Sequence, residues 1–201
     1  MGAMISFVVK TWLKILFIFT PFLVLSIFLG ITRDYDRSRR RAFALRTISA
    51  ITVICLVVYF FGSMIFSLFG ITLDAFRIGA GALLFLSAIN LVQGNVPVTP
   101  SGEEDLAVVP LAMPITVGPA VMGVLFVIGA DVISFEQRMA GAVAVGLAVA
   151  SMSGLLLVAT TIERLVGKSQ LTILSKITGL ILAALSAQMI VTGIKNFLVA
   201  E

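Results

Sequence analysis

Apolar residues do not alternate with polar ones along this chain; they run in long blocks separated by short polar stretches. Six blocks are membrane-length, at about 11–31, 45–70, 75–94, 106–130, 139–161 and 172–199. A helix needs roughly 20 apolar residues to cross a bilayer. Hydrocarbon offers no partner to a free backbone amide or carbonyl, so blocks of this length predict transmembrane helices. The first block is expected to be a retained span. Its apolar run outlasts a signal core, and no small-residue cleavage pattern follows before the arginines.

The blocks also repeat. Phe85–Gly94 reads FLSAINLVQG and Ala184–Gly193 reads ALSAQMIVTG, pairing Leu86/Leu185, Ser87/Ser186, Ala88/Ala187, Val92/Val191 and Gly94/Gly193 at an offset of 99. Arg77/Lys176, Ile78/Ile177 and Leu83/Leu182 keep that spacing, whereas Pro21/Pro119 and Phe28/Phe126 pair at 98. The expected fold is an all-α polytopic membrane protein: six transmembrane segments arranged as two inverted three-helix repeats. Residues 1–94 form the first repeat and 106–201 the second. Between them, 95–105 (NVPVTPSGEED) holds two prolines, a glycine and three acids and reads as a linker loop. Three spans per repeat turn the halves to face opposite ways, the construction of many secondary transporters.

Composition agrees with a membrane setting. The chain is 60% hydrophobic and 12% charged, where soluble domains carry about 25% charged residues. Arg33, Arg37, Arg39, Arg40, Arg41 and Arg46 cluster in and beside one short loop, while the counterpart loop Asp131–Arg138 has Arg138 alone. By the positive-inside rule the cluster reads as a cytoplasmic anchor and not as a nucleic-acid site, and contact with anionic lipid is compatible with that reading. Loops one, three and five carry nine of the fourteen basic residues, so both termini are expected outside the cytoplasm. Cys55, the only cysteine, reads as a small buried hydrophobe.

Proline marks two of the blocks. The first contains Thr20-Pro21, and the fourth reads LAVVPLAMPITVGPAVMG with Pro110, Pro114, Gly118 and Pro119. Proline removes an amide donor and clashes with the preceding turn, so the first and fourth helices are expected to be broken. Matching breaks in two inverted halves point to a substrate site near the midplane, with a half-helix amide end aimed at the ligand. Thr20, Pro21, Pro114, Thr116, Gly118 and Pro119 would build it, with Asp105 at the edge of the fourth block. Ser87, Asn90, Ser186 and Gln188 are the other polar side chains at membrane depth that could contribute. For the two serines, hydrogen bonds gluing helices together are an equal alternative. An amide in hydrocarbon needs a partner, in the bundle or in a ligand.

No Asp, Glu, Lys or Arg lies centrally in the second to sixth blocks, so a small neutral or zwitterionic solute suits the lining better than an ion. The absence of histidine removes Ser–His dyads and HExxH zinc sites, and Asp36 and Asp131 fall in loops. An enzyme is not expected, nor is a cofactor. Gly79, Gly81 and Ala82 would serve close helix contact equally within one chain or in a homo-oligomer.

The segments DLAVVPLAMPITVGPAVM (Asp105–Met122) and FGITLDAFRIGAGALLFLSAINL (Phe69–Leu91) are similar to those of the MarC family of bacterial inner-membrane proteins, also described as a neutral amino acid transporter family. The resemblance runs over essentially the whole chain past Leu13. It implies a secondary transporter or exporter of small neutral amino acids such as glycine or alanine, working by alternating access and coupled, if at all, to sodium or protons. Where the family usually has Asn-Pro in its first span, this chain has Thr20-Pro21. A non-transporting scaffold or a passive small-solute channel is the alternative function.

Overall fold

The computed structural model describes residues 2–94, 116–131 and 134–199. Among these residues the regular structure is entirely helical, in eight helices: α1 (Gly2–Ile18), α2 (Pro21–Ile31), α3 (Arg37–Phe69), α4 (Leu73–Gln93), α5 (Pro119–Ala130), α6 (Phe135–Leu157), α7 (Ala159–Val166) and α8 (Lys168–Val199). Four of them, α3, α4, α6 and α8, are long and apolar enough to cross a membrane, and the bent pair α1–α2 makes a fifth if counted as one span. The linker at 95–105 and the first part of the fourth block, through residue 115, lie outside the described residues.

Local chemistry sets the helix ends. Asp36 caps α3 by accepting a hydrogen bond from the Arg39 amide at 2.8 Å, Thr72 caps α4 through the Ala75 amide, and Ser134 caps α6 through the Gln137 amide. The cap at Asp36 corrects one expectation. Arg37, Arg39, Arg40, Arg41 and Arg46 lie in the opening turns of α3 and not in a loop, because a helix once nucleated continues through arginine at little cost. A second correction concerns the fifth block, which is interrupted at Val158, where α6 gives way to the short α7.

The antiparallel pair α4 and α8 packs through glycines. A Cβ added at Gly81 would stand 2.7 Å from Ile190 Cγ1 and 3.3 Å from the Ser186 carbonyl. One at Gly179 would stand 2.8 Å from Val92 Cγ2 and 3.1 Å from the Ala88 carbonyl. These two contacts exchange at an offset of 98: Gly81 becomes Gly179, Ala88 becomes Ser186 and Val92 becomes Ile190. The buried faces agree, with Ala80, Gly81, Leu84, Ala88 and Leu91 on α4 matched by Thr178, Gly179, Leu182, Ser186 and Met189 on α8. An offset of 99 would instead set Gly81 and Ala88 against the exposed Leu180 and Ala187. The register of this helix pair is therefore 98, not the 99 suggested by the LSA match. A one-residue slip turns a helix face by about 100°, which is why burial resolves what letters do not. Helix starts follow the same spacing, Pro21 with Pro119 and Arg37 with Phe135.

The two short segments pack mainly on helices from the other half of the chain. α5 packs on α3 and α4, and α2 packs on α8, α6 and α7. Gly123 lets α5 close on Ala80 of α4, while Gly129 meets the Tyr59 carbonyl of α3. Phe66, Phe76 and Phe126 fill the space between α3, α4 and α5 as a ring cluster with centroids 4.6–5.9 Å apart. Trp12 ties α1 to α6 by donating from Nε1 to Ser151 Oγ at 3.1 Å.

Candidate functional site

The first helix break falls at the expected dipeptide. α1 closes as the Phe19 amide bonds the Ile15 carbonyl and the Thr20 amide bonds the Phe17 carbonyl, both at 3.0 Å. α2 opens with Pro21 at its first position and turns 43° away. Thr20 joins them at φ 50°, ψ 58°, the left-handed region, and is the only non-glycine residue with positive φ among the described residues. That backbone brings Cβ against the following carbonyl, and a β-branched residue tolerates it worst. Such strain costs of order 1–3 kcal/mol and tends to mark functional joints. Thr20 makes no capping bond with its side chain. The first-turn amides of α2 thus have neither an intrahelical acceptor nor a side-chain cap.

The start of α5 resembles the start of α2. Pro119 occupies the first turn of α5, Gly118 sits at the cap position without a side chain, and the first bond of the helix runs from the Met122 amide to the Gly118 carbonyl at 3.0 Å. Thr116, Val117 and Gly118 are buried. Gly118 is extended, with φ −77° and ψ 178°, so glycine's freedom is not what this position uses. At 11 and 12 residues, α2 and α5 are each about 16–18 Å long, near half of a hydrocarbon core. Asp105, Pro110 and Pro114 lie outside the described residues.

The other polar residues do not gather at these two ends. Ser186 is buried and donates to the Gly81 carbonyl at 2.7 Å, fastening α8 to α4. Ser87 is exposed and bonds the Leu83 carbonyl of its own helix. Asn90 and Gln188 are exposed on the outer sides of α4 and α8. They correspond at the offset of 98, and helical geometry sets Asn90 roughly opposite the Gly81 seam.

One polar cluster joins residues that no sequence spacing connects. Arg77 donates to Asp74 of its own helix at 2.6 Å and also pairs with Asp131, the residue that ends α5. Asn196 of α8 donates to the same Asp74 oxygen at 3.2 Å. Lys14 of α1 lies within electrostatic reach of Asp131 and Arg77. At the far end of α2, Arg40 donates to the carbonyl of the buried Thr32 at 2.7 Å, and Arg39 stacks over Tyr35 at 4.2 Å.

Known membrane proteins resemble this chain over nearly its whole length. The profile described as MarC family integral membrane protein matches residues 5–198. A UPF0056 membrane protein of Aquifex aeolicus is 30% identical, the alignment covering 94% of this chain and 93% of the relative. A UPF0056 membrane protein of Methanocaldococcus jannaschii is 29% identical over 96% of this chain and 98% of its own length. The UPF0056 inner membrane protein YhgN of Escherichia coli is 28% identical, with 95% and 98% covered. No solved structure matches the chain.

Proposed function

This chain belongs to the MarC family of integral membrane proteins, and on that premise we propose that it is a secondary transporter of small neutral amino acids. It moves glycine- or alanine-like solutes across a bacterial inner membrane by alternating access. Its six spans form two inverted three-helix repeats: α1–α2, α3 and α4, then the fourth block ending in α5, α6 with α7, and α8. Both termini face the periplasm, and the arginines at the start of α3 meet anionic headgroups of the cytoplasmic leaflet.

The observation that carries this reading is the pair of half-length helices. α2 and α5 begin at prolines 98 residues apart, inside apolar segments, and neither has a side-chain cap. Uncapped amides and a positive dipole end at membrane depth suit a carboxylate. Thr20 and Thr116 stand beside these ends and can supply hydroxyl hydrogen bonds. Among the described residues no acid or base lies at either helix start, in keeping with a substrate of no net charge. The exchange of packing, α2 against second-half helices and α5 against first-half helices, suits rocking of one half on the other. The coupling ion, sodium or a proton, is left to experiment.

Counterflow in proteoliposomes tests the proposal. Vesicles loaded with unlabelled glycine, alanine, serine or threonine should transiently accumulate the labelled amino acid, and the overshoot should disappear in Thr20→Ala or Pro119→Ala. Saturation with overshoot distinguishes a carrier from a channel or scaffold. Folded protein that shows no overshoot with any neutral amino acid overturns the substrate assignment.

A further inference from the structure

The Arg77 cluster is a charged constellation that the transport reading does not use, and its position is particular. Arg77 and Asp74 stand in the first turns of α4, Asp131 at the end of α5, and Asn196 near the end of α8. Lys14 of α1 adds its charge from the side. Four helices therefore meet at the membrane face that carries the C-terminus, and the Arg77–Asp131 pair crosses from the first half of the chain to the second. The Arg77 side chain is only 13% exposed, so it is held in place and not swept by solvent.

The positions that correspond to these at an offset of 98 do not repeat the device. At the offset of 98, Arg77 corresponds to Ser175, which donates to Leu171 of its own helix at 2.9 Å. Asp74 corresponds to Thr172, Asp131 to Arg33 and Lys14 to Ala112. No carboxylate stands at any of these positions. At the end of α2, Arg40 donates to the Thr32 carbonyl, a bond inside a single half. A bond inside one half does not resist movement between halves.

We propose that Arg77 and Asp131 form a one-sided gate clasp: their ion pair pins the outer end of α5 to α4 and holds closed the passage from the C-terminal face to the Thr116–Pro119 break. The inference rests on the transporter reading and names the gate of that same site. Asp131 is the removable half of the clasp. With it neutralised, Arg77 keeps Asp74 as a partner on its own helix, so the charge is not stranded and the fold is spared the cost of an unpaired cation.

Side-resolved cysteine labelling tests this independently of transport. Cys55 is the only native cysteine, so Val117→Cys in a Cys55→Ala background reports access to the buried residue beside Gly118. A membrane-impermeant maleimide is applied to each face in turn. Asp131→Asn should raise the labelling rate from the C-terminal face about fivefold or more, the size of a typical coupling between states, and leave the other face unchanged. Asp131→Glu should label like the parent. Arg77→Gln, as a second variant, should give the same one-sided rise. An unchanged rate in Asp131→Asn, or an equal rise from both faces, overturns the clasp. One-sided opening in a protein that shows no counterflow keeps the clasp and removes the amino acid assignment. Counterflow with unchanged labelling does the reverse.

Discussion

α2 and α5 hold corresponding places in the two halves, yet the chain secures them by different means. The entry to α2 is strained at Thr20, whereas the entry to α5 passes through an extended, relaxed Gly118. Residue choice runs against backbone need: the β-branched threonine takes the left-handed turn and the glycine does not. At their far ends the contrast continues. α2 closes on Arg40 of the helix that follows it, and α5 on Arg77 of the helix that precedes it, in the other half. Even the penultimate glycines differ, since Gly30 faces open space and Gly129 lies against the Tyr59 carbonyl. The two halves thus share helix starts and packing faces while differing at hinges and fastenings.

Substitutions can break or sharpen this contrast, each read by thermal unfolding in detergent micelles with Trp12, the single tryptophan, as the fluorescent reporter. The largest effect is expected at Gly129→Ala. Its Cβ would collide with backbone that cannot yield, costing about 2 kcal/mol. The partner change Gly30→Ala meets nothing and should gain up to about 1 kcal/mol of helix propensity. If both behave alike, the asymmetry between the two segments fails. Next comes Thr20→Asn, which should stabilise by about 1 kcal/mol, because asparagine visits the left-handed region readily. A loss of stability there would mean that threonine's own contacts outweigh the strain. Smallest is the serine pair. Ser186→Ala should cost about 0.6 kcal/mol, by removing an interhelical hydrogen bond. Ser87→Ala should change stability by less than about 0.5 kcal/mol.

Much of the helix layout was legible in the sequence because hydrocarbon demands long apolar runs, and proline and glycine punctuate them. Pro21 and Pro119 do stand at helix starts, as their missing amides require. The start of α3 was not legible from hydropathy, since arginine interrupts an apolar run without interrupting a helix. The register of α4 on α8 was misread because the repeated LSA outweighed burial. Thus Ser87 and Ser186 look equivalent as letters but bond to different partners. Nor could spacing reveal the strain at Thr20, which is a property of the joint and not of the residue type. The link between Arg77 and Asp131, 54 positions apart, exists only once α5 folds back onto α4. The Asp105–Pro114 part of the expected site lies outside the described residues.

The glycine seam has a consequence for how this chain can diverge. Gly81 and Gly179 each receive the other helix's backbone at equivalent places, so a bulkier residue on either side moves both helices together. Neither half can drift at the seam without being answered by the other. Outward positions such as Asn90 and Gln188 carry no such obligation. Likeness between the halves should persist longest where backbones touch, at Gly81/Gly179 and Leu84/Leu182, and fade first toward the surrounding lipid.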